Sequence, residues 1–299
     1  MSKKMRANLL LFFTAFIWGV AFVAQDVAAD ALEPMSFNGI RMACAALALL
    51  PTVWMMDRRS QRTGEGFCWK KMTPSDRRTM LVGGACCGVM LALGSVLQQA
   101  GLTLGAGAGK AGYITALYIV LVPVLGLFWG KKVGKLVWIA VALSVAGLYL
   151  LCMQGGFTIE VSDLVLILCA LCYSGHILVV DHFSRRTDCV KLSCVQFAVT
   201  SALCLVGAAL FEHPTWEGVK TCIIPLLYAG VMSAGLGYTF QILAQRDAEP
   251  TVASLLMSLE SVFAVLAGWV ILGDMLSARE LMGCVLMAGG IVLAQLPQK

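Results

Sequence analysis

The sequence predicts an all-α membrane protein of ten transmembrane helices, arranged as two inverted five-helix repeats. Three observations predict it. Apolar residues make up 59% of the 299-residue chain and charged residues 13%, and the apolar residues gather into ten runs, each near the ~20 residues a helix needs to span a bilayer. A bilayer core offers no water to backbone N–H and C=O groups, so each run reads as a helix that satisfies its own backbone. The Lys and Arg residues fall in alternate gaps between runs. The chain also matches itself when its second half is laid on its first.

The first run, about 8–27, follows Lys3, Lys4 and Arg6. It extends past signal-peptide length to about Val23 with no small-residue cleavage motif, which reads as an uncleaved first helix. The remaining spans of the first half are about 35–56, 79–99, 111–130 and 134–153. Those of the second half are about 161–181, 190–211, 222–244, 251–272 and 279–296. The longest gap, Asp57 to Arg78, is basic and too short for a soluble domain. With the N-terminus inside, the inner segments hold 18 of the 22 Lys and Arg, and the outer ones hold only Lys110, Lys220 and Arg279. This bias places both termini in the cytoplasm and the protein in the cytoplasmic (plasma) membrane. Arg41 stands inside a span.

At an offset of 143, Gly94 pairs with Gly237, Gln98 with Gln241, Gly130 with Gly273, Leu143 with Leu286 and Gly147 with Gly290. Near the start an offset of 155 pairs Ala15 with Ala170, Trp18 with Tyr173 and Asp26 with Asp181. The repeats are expected over residues 1–154 and 155–299, the longer basic loop of the first half accounting for the change of offset. Five spans per repeat is odd, so the halves face opposite ways. Inverted halves that exchange conformations around a midplane site are the architecture of carriers.

Several segments carry a family resemblance. Trp18-Gly19 with Phe22-Val23-Ala24-Gln25, then Phe37-Asn38-Gly39-Ile40-Arg41, Gln98-Gln99-Ala100-Gly101-Leu102 and Lys110 to Thr115 through Pro123 fit the first half. Tyr228-Ala229-Gly230-Val231, Gly237-Tyr238, Ser258 to Phe263 and the closing Leu272-Gly273-Asp274 and Gly283 to Gly290 fit the second. Together they resemble the EamA-type carriers of the drug/metabolite transporter (DMT) superfamily across nearly the whole chain. The resemblance implies the EamA/DMT fold and a solute carrier. Members of the superfamily move amino acids, sugars, nucleotide sugars, choline-like cations and drugs. The acidic residue that usually closes the fourth span is replaced here by Lys131-Lys132, whereas Asp274 stands at the matching place in the second half.

The candidate substrate-binding residues are Trp18, Asn38, Arg41, Gln98, Tyr113, Tyr173, His176, Tyr238, Gln241 and Glu260. Glu260 lies about ten residues into the ninth span. An ionisable group at that depth faces a cavity or a partner, so Glu260 is the proton-coupling candidate, or the counter-charge of a cationic solute, or a bond between helices. Arg41 suits bidentate capture of a carboxylate, or a structural pair with Asp26 or Asp30. His176 follows Tyr173 by one turn on the same face. The aromatic residues suit stacking on a ligand or plain packing; Trp54, Trp129, Trp138 and Trp216 near span ends read as interface belt. Gln98 and Gln241 each stand one turn after a repeat-related glycine, a pattern of close helix crossing.

Other chemistry finds little footing. Twelve cysteines lie mostly inside apolar runs, and Cys169-x-x-Cys172 has no second pair, so packing is the reading and no metal or cofactor is expected. Gly105-Ala106-Gly107-Ala108-Gly109 lacks the strand–loop–helix setting of a phosphate cradle. Pro123 and Pro225 are expected to kink their spans. An intramembrane enzyme built on His176, Asp181, His182 and Glu260 is disfavoured: positions 176 and 181 point roughly 140° apart on a helix, and no paired metal-ligand motif exists. The net charge of +5 reports topology and not nucleic-acid binding. The expected partners are a small solute and the lipid bilayer. The leading reading is a secondary-active exporter of a small organic metabolite, such as an amino acid or another amphipathic solute. A passive channel or a non-transporting membrane partner is the alternative. The sequence carries no signal of oligomeric state.

Overall fold

The computed structural model describes residues 1–63, 69, 72–106, 108–152, 160–267, 270 and 277–296. Ten helical stretches among them are long and apolar enough to cross a membrane. The first three are Lys3–Ala29, Pro34–Thr63 and Pro74–Thr103. The fourth is in two pieces, Ala108–Thr115 and Tyr118–Phe128, and the fifth is Lys135–Cys152. The sixth and seventh are Val161–Ser184 and Cys189–Phe211. The eighth crosses from Ile223 to Gln245, with a π-helical stretch at Tyr228–Tyr238. The ninth is again in two pieces, Pro250–Met257 and Leu259–Ala267, and the tenth is Ala278–Gln295.

The second and third helices run well beyond the stretches expected from hydropathy. Local chemistry extends them. Thr73 accepts a hydrogen bond from the Asp76 backbone N–H, and Pro74 fills the first turn where no N–H is needed. At the other side of that loop the Arg58 guanidinium stacks 3.8 Å over Trp54, and Lys191 of the seventh span pairs with Asp57. The start of the second helix is held from the seventh: Glu212 accepts from the backbone N–H groups of Met35 and Ser36, both at 2.7 Å. The start of the first helix and the end of the tenth meet at one end of the bundle, where Lys4 Nζ donates to the Gln295 carbonyl at 3.0 Å and Asn8 to the Gln295 side chain at 3.1 Å. An even number of crossings requires this.

The packing of the spans maps onto itself when the halves are exchanged. The first span lies on the eighth and ninth, and the sixth lies on the third and fourth. The second packs on the eighth as the seventh packs on the third, while second against seventh and fifth against tenth are self-paired. Individual contacts repeat too. Thr14 Oγ1 donates to the Gly237 carbonyl at 3.2 Å, and its repeat-mate Cys169 donates through Sγ to the carbonyl of Gly94, the mate of Gly237, also at 3.2 Å. Cys169 is therefore an interhelix contact of the repeat.

Small residues permit these approaches. A Cβ on Gly237 would sit 2.5 Å from the Trp18 ring nitrogen, and one on Gly94 would sit 3.1 Å from the ring of Tyr173, the mate of Trp18. Where the fifth and tenth spans cross, a Cβ on Gly147 would meet the Gly283 carbonyl at 2.7 Å, and one on Gly283 would meet the Gly147 carbonyl at 2.7 Å. This is close backbone packing without a large side chain between the helices.

Two spans expected to be continuous are broken, and at corresponding places. The fourth is interrupted after Thr115 and the ninth at Ser258, which are mates at offset 143. In the fourth, the helix tightens into i→i+3 bonds, Leu117 N–H to Ile114 and Ile119 N–H to Ala116. In the ninth, the Ser258 hydroxyl turns back to the Leu255 carbonyl at 2.8 Å. Discontinuous spans at depth are stable only where protein or a cavity receives the freed backbone groups.

A central chamber with one buried cation and one buried carboxylate

The broken fourth and ninth spans meet on the wall of a central chamber, lined by Thr115 and Tyr118 of the one and Met257 and Glu260 of the other. The first, second, third, sixth and eighth spans complete its wall. It is narrow: about 40 Å³ admits the centre of a water molecule, where a single water needs about 10–15 Å³.

Glu260, from the ninth span just past its break, is buried on this wall. Its Oε1 accepts a hydrogen bond from the Tyr118 hydroxyl at 2.9 Å. Tyr118 opens the second piece of the fourth span, so the bond joins the two breaks and the two halves. Gly19 brings the first span against this point, since a Cβ there would lie 2.6 Å from the Glu260 carbonyl.

Arg41 enters from the second span with only 2% of its surface exposed. Its Nη1 donates to Gln25 Oε1 at 2.8 Å and its Nη2 to Ser95 Oγ at 3.4 Å, while its buried Nε has no partner. Gln25 is held in turn by Gln99, whose amide donates to the Gln25 backbone carbonyl at 3.0 Å. A carboxylate pair with Asp26 or Asp30 does not form. Among the described residues neither Arg41 nor Glu260 has an ion-pair partner.

Between the two charges runs a polar, aromatic wall. The Tyr173 hydroxyl lies 3.3 Å from Ser95 Oγ and donates to Gln98 Oε1 at 3.3 Å, and the Tyr238 hydroxyl donates to that of Tyr173 at 3.4 Å. The Trp18 ring tilts over Tyr238 at 4.7 Å, its N–H satisfied by the Ser233 carbonyl. His176 stands edge-on to Tyr238 and hydrogen-bonds through Nε2 to Gln196 at 3.1 Å. Gln241 donates to Gln245, which leaves its own Oε1 buried and unpartnered.

Eight of the ten residues singled out from the sequence line this chamber: Trp18, Arg41, Gln98, Tyr173, His176, Tyr238, Gln241 and Glu260. Asn38 and Tyr113 do not. Asn38 donates through its amide nitrogen to the carbonyls of Pro34 and Ser95, at 2.8 and 3.1 Å, and its buried Oδ1 has no partner. It shares a helix side with Arg41, but its short side chain meets the third span before it could reach the chamber. Tyr113 packs edge-on against Tyr149 of the fifth span. It is five positions before Tyr118, about 140° around a helix, and Tyr118 has the inward place. Sequence reasoning missed Gln25, Thr115, Ser233 and the role of Tyr118. Gln25 had a signal, because Trp18, Phe22 and Gln25 recur at i, i+4 and i+7 on one helix face. The closing Asp274 and Gly273 lie outside the described residues, and metal-binding groups of three His, Cys, Asp or Glu are absent among those described.

Ten apolar helices around a central chamber lined by both polar and aromatic groups define the class: a multi-pass membrane transporter. The chain belongs to the EamA-like transporter family, whose model matches residues 5–153 and again residues 161–296. An uncharacterized transporter of Archaeoglobus fulgidus is 28% identical, the match covering 98% of this chain and 87% of that one. The uncharacterized transporter YwfM of Bacillus subtilis is 23% identical over 98% of this chain and 95% of its own. A solved crystal structure superposes with a TM-score of 0.78 at 17% identity, covering 98% of this chain and 97% of its own, which is a likeness of fold.

Proposed function

We propose that this protein is a secondary-active carrier that exports a small zwitterionic metabolite, an amino acid or a related amphipathic solute, by alternating access around the central chamber. The observation that carries this reading is that Arg41 and Glu260 line one chamber and that neither has an ion-pair partner among the described residues. A buried charge is costly unless something pairs it. One guanidinium and one carboxylate facing the same small space are together complementary to a molecule that bears a carboxylate and an ammonium. Arg41 takes the carboxylate, its unpartnered Nε and the nearby Ser95 hydroxyl adding donors. Glu260 takes the ammonium, with the free Gln241 oxygen as a second acceptor, and is also the group on which a coupling proton would ride. The tyrosines and Trp18 between them suit an apolar or aromatic side chain. The Lys and Arg bias supports a plasma-membrane location with both termini in the cytoplasm.

The test is transport by the purified protein in lipid vesicles, loaded with an equimolar amino-acid mixture and read by mass spectrometry. Saturable, counterflow-stimulated efflux of a subset of amino acids is expected, and it should vanish in Arg41→Gln and Glu260→Gln variants that insert normally. Efflux that does not saturate would make the protein a channel. Equal transport by both variants would remove the zwitterion reading. Export is read in cells as faster loss of preloaded solute when the protein is present.

A further inference from the structure

The Tyr118–Glu260 hydrogen bond has no possible counterpart between the repeat-mates of its two residues. In an inverted-repeat protein whose halves exchange conformations, a contact between two residues in one state is replaced, in the other, by the contact between their repeat-mates. At offset 143 the mate of Tyr118 is Ser261 and the mate of Glu260 is Leu117. The exchanged state therefore sets a serine against a leucine, and no side-chain hydrogen bond can form there. In the state described here the bond is made at 2.9 Å, between two buried groups, at the two breaks that must move if the halves are to exchange. Glu260 has no other side-chain partner among the described residues.

We propose that this bond holds the empty carrier in one of its two conformations, and that Tyr118 is the positioning residue through which occupation of Glu260 is felt by the moving helices. A cationic group that pairs with Glu260 competes with the tyrosine hydroxyl for the same carboxylate charge. The bond weakens and the preference between conformations falls. Tyr118 thus ties ligand capture to exchange, and the empty carrier is kept from cycling freely. The idea rests on the alternating-access reading above but not on the identity of the solute.

The experiment needs no solute. In a cysteine-free background, single cysteines are placed at Phe22 and at its mate Ile177, both on the chamber wall. The protein in vesicles is labelled from each side with a membrane-impermeant maleimide. The empty parent should label much faster from one side. A hydrogen bond to a buried charged group is worth enough that Tyr118→Phe should shift the ratio of the two rates toward unity by about tenfold. Glu260→Leu, which removes the acceptor altogether where a glutamine would keep one, should shift it in the same direction, and the double variant no further than the larger single one, because one bond can be lost only once. An unbiased parent, a Tyr118→Phe protein with the parent's ratio, or additive effects in the double variant would each overturn the proposal. Thermal unfolding of each variant accompanies the labelling. Should Tyr118→Phe fail to fold, Glu260→Leu decides alone, since an unchanged ratio there is equally fatal. Failure to find a transported amino acid would strike the substrate assignment and leave these ratios untouched.

Discussion

Arg41 and Gln196 hold the same place in the two halves of this molecule, and they do different work. Arg41 lines the chamber, bonded to Gln25 and Ser95. Gln196 is buried behind the chamber wall, bonded to His176. The mate of Gln25, which also lines the chamber, is Val180, which does not. A second pair of mates differs at the two ends of the bundle. Asp181 is nearly buried and bonded to both Lys131 and Arg185. Asp26 is exposed and makes no ion pair among the described residues. The chamber wall thus reaches along the first span to Gln25, beside Asp26, but along the sixth only to Ile177, one turn short of the clamped Asp181. The backbones of the halves obey one symmetry while their chemistry does not. A symmetric frame allows exchange between two states, and the asymmetric side chains decide where charge is bound and which end is closed.

The strongest way to break this comparison is to make the mates identical. Arg41→Gln puts glutamine at both places and removes the chamber's one cation. Loss of a buried charged hydrogen-bonding partner costs about 2–5 kcal/mol, so efflux measured as kcat/KM should fall at least about thirtyfold. Insertion should be retained, since glutamine removes a buried charge and can still donate to Gln25 or Ser95. Retained transport would place the solute elsewhere.

The frame itself is broken next, at the crossing of the fifth and tenth spans. Gly283→Leu drives a side chain into the Gly147 backbone, and backbone cannot step aside as a flexible side chain can. Overpacking of this kind costs about 1–3 kcal/mol, seen as a lower unfolding temperature in detergent, with less folded protein in the membrane. Gly289→Ala, inside the tenth span where a Cβ meets nothing within 4 Å, is the control and should leave the unfolding temperature the same or slightly higher.

A third prediction addresses the two ends. Asp181→Asn removes the negative charge that Lys131 and Arg185 share. A cysteine at Ile177 should then label a few-fold faster from the Lys131 side. Asp26→Asn, at the mate, should change labelling at Phe22 by less than twofold. Equal effects would show that the two ends are not distinguished by this cluster.

The smallest effects sharpen the boundary of the site. Tyr113→Phe should leave efflux kinetics within about twofold of the parent, because its ring lies against Tyr149 and not in the chamber. Asn38→Leu forfeits bonds to two carbonyls and should cost about 1–3 kcal/mol of stability, with little change in KM for the protein that folds.

Much of the fold was legible in the chain. The ten spans and the internal match of the halves follow from apolar runs and a repeated pattern, because a bilayer leaves the backbone no alternative to helices. Eight of the ten chosen site residues reach the chamber for a related reason: a polar or aromatic group deep in an apolar span has few other places to go. The misses are local. The second and third helices outrun their hydrophobic stretches because capping and an Arg–Trp stack extend them into water, beyond anything hydropathy measures. Asn38 satisfied every coarse criterion for a site residue and was claimed instead by two nearby carbonyls.

What the sequence by itself determined is the number of spans, the duplication and the short roster of groups that could not be left facing lipid. What only the tertiary structure decided is which of those groups meet. The breaks in the fourth and ninth spans carry no shared motif: Thr115-Ala116-Leu117 and Ser258-Leu259-Glu260 share only a hydroxyl residue at the first place. Nothing in either segment announces a contact with the other. Tyr118 finds Glu260 because the two halves pack face to face about their symmetry axis, and that axis exists only once all ten helices are assembled.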